Sequence, residues 1–191
     1  MKLKLLLGII TCFSLATAQE PTTTYVGTKM CKMCHNKAKT GQQYTVWLES
    51  SHARALATLA TDAAKQIAVD RGIKTAPDKS PECLQCHVTG WGDPSGYQLT
   101  VDPNDRRAMA KNAALENVGC EACHGAGSEY KGKKVMEAIT AGTIDPATVG
   151  LVLPDEATCK KCHNENSPTD KEFVFEEAVK LIAHPYPEKA Q

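Results

Sequence analysis

The stretch Gly119-Cys120-Glu121-Ala122-Cys123-His124-Gly125 decides how this chain is read, because its central pentapeptide, Cys-x-x-Cys-His, occurs three more times. The others are Cys31-Lys32-Met33-Cys34-His35, Cys83-Leu84-Gln85-Cys86-His87 and Cys159-Lys160-Lys161-Cys162-His163. This pentapeptide is the attachment site of a c-type haem. Each thiol can add to one vinyl group of the porphyrin, and the adjacent histidine meets the iron as proximal ligand. The spacing has a mechanical reason. One turn of backbone separates the sulfurs by the distance between the vinyls and brings the histidine beneath the metal. The chain is therefore expected to hold four covalent haem c groups. Cys31, Cys34, Cys83, Cys86, Cys120, Cys123, Cys159 and Cys162 would bind them, with His35, His87, His124 and His163 proximal.

The competing reading of paired cysteines is a tetrahedral zinc centre built from two pairs. A histidine directly after every pair is not something a zinc ribbon requires, and the N-terminus argues for export. Lys2 and Lys4 precede a short apolar run from Leu5 to Leu15, and Ala16-Thr17-Ala18 forms a small-residue cleavage site. Residues 1–18 thus read as a signal peptide cleaved after Ala18, and residues 19–191 as one tetrahaem domain in the periplasm or beyond. The apolar run is too short to span a bilayer, so no transmembrane segment is expected after cleavage. A lipid anchor at Cys12 fits less well, since Thr11 precedes it and the apolar run continues past it. Of nine cysteines, only Cys12 lies outside the motifs. No thiol remains for a structural disulfide, although an exported compartment would permit one.

Aromatic content is only 5%, so side chains alone supply a thin core. The porphyrins would furnish much of the buried apolar surface, and folding should depend on them. Charges balance at 22 basic and 22 acidic residues, which lends nothing to a nucleic-acid role.

Helical patterning fills the intervals between motifs. Residues 53–71 place Leu56, Leu59, Ala63 and Ile67 on one stripe and stop at Gly72. Further helices are expected from Asn104 to Glu116, from Lys134 to Ala141 before Gly142, and around Phe175, Val179 and Ile182 before Pro185. Asp155 is placed to cap a short helix into the last motif. Residues 90–96 and 125–127 read as loops around haem edges, and Pro21 to Tyr25 as a frayed terminus. Strand signals are scarce. The expected fold is mainly α, a multihaem c-type cytochrome with few or no strands and a haem-stacked core.

Distal ligands are harder to assign. Six histidines are present and the motifs use four, leaving His52 and His184. At most two haems can therefore be bis-histidine within one subunit. Met109 and Met136 are weaker candidates, since isolated methionines on helices usually fill cores. Met30 and Met33 adjoin or occupy the first motif and cannot reach the far face of their own haem.

At this point the chain resembles the tetrahaem cytochrome c-554 family. The resemblance rests on Tyr25 to Met30 leading into the first motif, Trp47 to Ala53, Cys83 to Gly90, Gly119 to Gly127, and Cys159 to Pro168. It implies a helical, haem-stacked periplasmic protein that passes electrons between redox partner proteins. It also implies that His52 serves the third haem, opposite His124. Two positions depart from the family pattern. Where the family carries a distal histidine for the first haem, residues 88–119 offer only Met109. Where it supplies the fourth haem, the chain offers Tyr130, Lys133 and Met136. His184 lies beyond the pattern and is free to serve the fourth haem or the second.

An electron carrier is the leading reading, since no nucleotide fingerprint, hydrolase elbow or spare thiol is present. The shortage of distal histidines leaves two others open. One is an enzyme reducing a small nitrogen- or sulfur-containing ligand at a five-coordinate iron. The other is a self-associating extracellular conductor whose neighbours donate ligands.

Overall fold

The computed structural model describes residues 23–169 and 172–184; the expected leader with Cys12 and Pro185 lie outside the described residues. Helices follow in the order α1 (Thr28–His35), α2 (Gln43–Glu49), α3 (Ala55–Thr58), α4 (Asp62–Asp70), α5 (Pro81–His87), α6 (Arg106–Ala113), α7 (Cys120–His124), α8 (Lys133–Thr140), α9 (Glu156–Lys160) and α10 (Phe175–Ile182). Short 3-10 turns link several of them. Among the described residues there is no strand, only one isolated antiparallel bridge between Val88 and Glu116. The mainly α fold is as expected.

Each motif rides on a short helix. α1, α5 and α7 end on their motif histidines, while α9 ends one residue past Cys159. Local chemistry explains the boundaries. Pro81 opens α5 at a position where its missing N–H costs nothing. Asp155 caps α9 through a reciprocal box with Thr158. Asp105 accepts from the N–H groups of Arg107 and Ala108, which starts α6 at Arg106 and shortens the expected 104–116 helix.

The single helix expected over residues 53–71 is broken. A 3-10 turn, Ser51–Arg54, leads into α3, and the chain restarts as α4 after Thr61. Two threonines do this. The Thr58 and Thr61 hydroxyls donate to the carbonyls of Ala55 and Thr58, and the Thr61 oxygen then accepts from the Ala64 N–H as a new N-cap. Such hydroxyls compete with the helical ladder; the apolar stripe alone did not reveal them.

The second correction concerns Tyr25, which was expected to fray. Residues 24–28 instead form an extended strap with every N–H engaged. Thr24 donates to Ser128 Oγ, Tyr25 to Ser95 Oγ, Val26 and Gly27 to the Glu121 carboxylate, and Thr28 to the Ala114 carbonyl. Buried amides need partners, and here they come from loops far along the chain.

The protein core is thin, as composition suggested. Leu59, Leu84 and Val88 form its centre, with Leu56, Trp91 and Tyr97 against them. Large apolar side chains stand out elsewhere: Leu153 is 69% exposed and Leu181 83%.

Candidate haem centres

The four attachment helices are not arranged in sequence order. The Cys31 thiol of the first motif lies within hydrogen-bonding reach of Cys120 in the third, and α1 packs on α7. Cys86 of the second motif is likewise within reach of Cys162 in the fourth. Cys123 and Cys159 join the two halves closely enough for each charge to be felt. The spatial order of motifs is first, third, fourth, second. Proximity also sets the thiol acidities. As free thiols, Cys86 is pushed down by the neighbouring Cys162, while the neighbouring Cys120 and burial push Cys31 up.

Four of the six imidazoles have their Nδ1 atoms turned to oxygen acceptors. His87 Nδ1 is 2.6 Å from the Ala55 carbonyl, His124 Nδ1 is 3.1 Å from the Val152 carbonyl, and His184 Nδ1 is 3.1 Å from the Ile182 carbonyl. His35 Nδ1 is 3.2 Å from Gln43 Oε1. A carbonyl can only accept, so the proton sits on Nδ1 and Nε2 is left with a lone pair for a metal.

Both spare histidines face a motif histidine. The His52 and His163 ring centroids are 6.0 Å apart at an interplanar angle of 65°, and those of His124 and His184 are 5.9 Å apart at 78°. Two imidazoles bound to one metal through bonds of roughly 2 Å stand about 6 Å apart between centroids. The donor set thus fits axial ligation of an iron at two centres. No three His, Cys, Asp or Glu side chains converge among the described residues, whereas a tetrahedral zinc site needs four.

The ring neighbours differ from the pairing that the family resemblance implied. His52 stands beside His163 of the fourth motif, not His124, and His184 stands beside His124, not a histidine of the second or fourth motif. The His52 segment is anchored just ahead of the third motif. Its carbonyl accepts from Val118 N–H, Trp47 Nε1 donates to the Val118 carbonyl, and Asn117 Oδ1 accepts from Leu56 N–H. From there the ring reaches across to His163, whose other neighbour is Phe173, stacked at 4.8 Å. Phe173 leads into α10, which carries His184 beside His124.

Burial, followed by the neighbouring His163, pushes His52 below its usual value, and burial does the same for His124. Both shifts favour the neutral imidazole that binds metal. Met109 lies exposed on α6 and Met136 half-buried on α8; the ring pairing uses neither. Sequence reasoning missed one buried group, Glu121. It lies inside the third motif at a position where the haem chemistry places no demand on residue type.

Comparison with known proteins bears on the whole arrangement. A curated relative, cytochrome c-554 of Nitrosomonas europaea, is 28% identical over 183 residues, spanning 88% of this chain and 72% of the relative. The solved structure of reduced cytochrome c554 from Nitrosomonas europaea superposes with a TM-score of 0.54 at 26% identity, covering 83% of this chain and 78% of that one. The family model described as cytochrome c554 and c-prime matches residues 30–125, a span that takes in the first three attachment helices and the His52 segment. A chain that matches this model over half its length, and shares the relative's fold beyond it, belongs to the cytochrome c554 and c-prime family.

Proposed function

We propose that this periplasmic cytochrome passes electrons through its four haems in the order first, third, fourth, second, with His163/His52 and His124/His184 as the two bis-histidine ligand pairs. The protein is an electron-transfer cytochrome carrying four covalent c-type haems. Each haem supplies a one-electron iron couple whose potential follows its axial ligands and surroundings. The observation that carries the proposed order is the proximity of Cys31 to Cys120 and of Cys86 to Cys162, with Cys123 close enough to Cys159 to feel its charge.

The residues have separable tasks. The cysteine pairs hold each macrocycle at two points. The carbonyls of Ala55 and Val152 orient His87 and His124. His52 and His184 would supply the second imidazole at the fourth and third centres and leave no position there for an outside ligand. His35 and His87 belong to the ends of the array and have no second histidine. Exposed Leu153 and Leu181 offer apolar cover near the third centre. No helix among the described residues is long and apolar enough to cross a membrane; the export reading rests on taking residues 1–18 as a cleaved leader. The comparisons lend no support to the enzyme or polymerising-conductor readings.

Partners meet the array at its first-motif end. Lys29, Lys32, Lys37 and Lys39 are exposed there, and no acidic residue occurs between Glu20 and Glu49. The ion pairs of the described residues form at other lysines: Lys65, Lys133, Lys160 and Lys180. A redox partner with an acidic face fits this surface.

Low-temperature EPR with near-infrared magnetic circular dichroism tests the ligand sets. Two bis-histidine centres are expected, His52→Met converting only one and His184→Met only the other. Four bis-histidine centres in a monomer, or either variant leaving both intact, would overturn the assignment. Stopped-flow reduction resolved by haem tests the order: altering the fourth centre with His52→Met should delay electrons between the third and second haems alone.

A further inference from the structure

We propose that Glu121 is a positioning residue that locks the first haem centre against the third, and that its buried negative charge lowers the reduction potential of both. The proposal rests on the tetrahaem reading. Glu121 is 1% exposed, yet it is charged and sits between the two cysteines of a haem motif. Burying a carboxylate is costly unless strong hydrogen bonds replace its water. Three backbone amides do so. Oε1 accepts from Val26 N–H at 2.9 Å and Gly127 N–H at 2.7 Å, and Oε2 accepts from Gly27 N–H at 2.7 Å. All three partners are N–H donors, the hydrogen-bond set that both oxygens of an ionised carboxylate accept.

These partners are what make the contact more than local. Val26 and Gly27 belong to the strap that opens α1 one residue later, so the third motif holds the entry to the first. Gly127 closes the loop behind the same motif. The fit is tight: a Cβ at Gly127 would come 3.0 Å from Glu121 Oε1 and 3.2 Å from Val26 Cγ2. With the strap seated, Cys31 and Cys120 meet.

No basic side chain forms an ion pair with Glu121 among the described residues. Its charge is balanced only by N–H dipoles, and in a water-poor interior it acts over several ångströms. The Tyr130 phenol lies near enough for this charge to act on it: burial pushes it up first, and Glu121 next. A negative charge stabilises the oxidised iron relative to the reduced one, so the two nearest centres become harder to reduce.

Glu121→Gln in the full holoprotein separates charge from shape. Spectropotentiometric titration should show two of the four haems with reduction equilibria shifted at least threefold toward the reduced state, while the other two stay within twofold of wild type. Four unchanged potentials, or four shifting together, would overturn the electrostatic role. Amide hydrogen exchange on the wild-type holoprotein tests the clamp even if the variant does not fold. Val26, Gly27 and Gly127 should be protected as strongly as the amides of α7, and rapid exchange at these three would overturn the positioning role. The wild-type haem count is read in parallel by pyridine haemochrome: a count other than four would fall on the tetrahaem reading and take the proposal with it.

Discussion

Replacing Gly27 with alanine should damage this protein more than the same change at a glycine with open surroundings, such as Gly72. Gly27 has φ +87° and ψ 146°, a region that is essentially confined to glycine. Forcing an alanine there costs roughly 1–3 kcal/mol in backbone strain. The new Cβ would also lie 2.6 Å from Ala114 Cβ and 3.0 Å from the Ala114 carbonyl oxygen, well inside the normal carbon contact. Overpacking of this kind adds roughly 1–3 kcal/mol. The total, about 2–6 kcal/mol, is a large share of the 5–15 kcal/mol typical of a folded domain. Urea unfolding of the holoprotein, followed by far-ultraviolet circular dichroism, should show a midpoint lower by roughly 1–3 M. Gly72→Ala is the control: its φ is +69° but nothing lies within 4 Å of the added Cβ, so only the left-handed cost of roughly 1–2 kcal/mol applies. Ala114→Gly combined with Gly27→Ala should recover part of the loss. A Gly27→Ala midpoint no lower than that of Gly72→Ala would refute the reasoning, because the clash with Ala114 would then have no effect.

Two other outcomes follow from charge. Reversing Lys29, Lys32, Lys37 and Lys39 to glutamate should slow electron exchange with an acidic redox partner and abolish its decline with rising salt; a salt dependence unchanged from wild type would place docking elsewhere. The Asp93 carboxyl is held below its ordinary value, first by the Ser95 hydroxyl, in the same turn that receives the Tyr25 N–H of the strap. A depressed native value means that its stabilisation is complete above the unfolded carboxylate range, about 4, and is lost as pH falls through the lower native value. Wild type should therefore lose more stability than Asp93→Asn between neutral pH and pH 3 in urea titrations, and equal losses would remove Asp93 from the acid response.

Glu121 shows why the strap had to be seen in three dimensions. Inside Cys120-Glu121-Ala122-Cys123 it looks like a residue the chemistry leaves free, because haem attachment constrains only the cysteines and the histidine. Its meaning comes from Val26 and Gly27, some 95 residues earlier. Tyr25 looked frayed for the same reason: its partner Ser95 is 70 residues away. Local patterning performed better where the partner is local. Asp155 announced the α9 cap, its partner Thr158 being only three residues away, and Gly142 marked the end of α8. It failed at Thr58 and Thr61, where hydroxyl competition broke a helix that hydrophobic periodicity would have continued.

Covalent chemistry is written in consecutive residues, so the four attachment motifs, the proximal histidines, the haem number and the mainly helical class were all determined by the sequence alone. Counting six histidines also bounded the distal histidines at two. Which motif histidine each spare histidine stands beside was decided only by tertiary structure. His52 is closer in sequence to every other motif than to the fourth, yet the anchors at Asn117 and Val118 turn it toward His163. The same holds for the order of the array. Sequence separation places the first motif next to the second, whereas packing of α1 on α7 places it next to the third. Proximity in a folded chain is set by which surfaces and hydrogen bonds can be satisfied together, and those partners lie tens of residues apart.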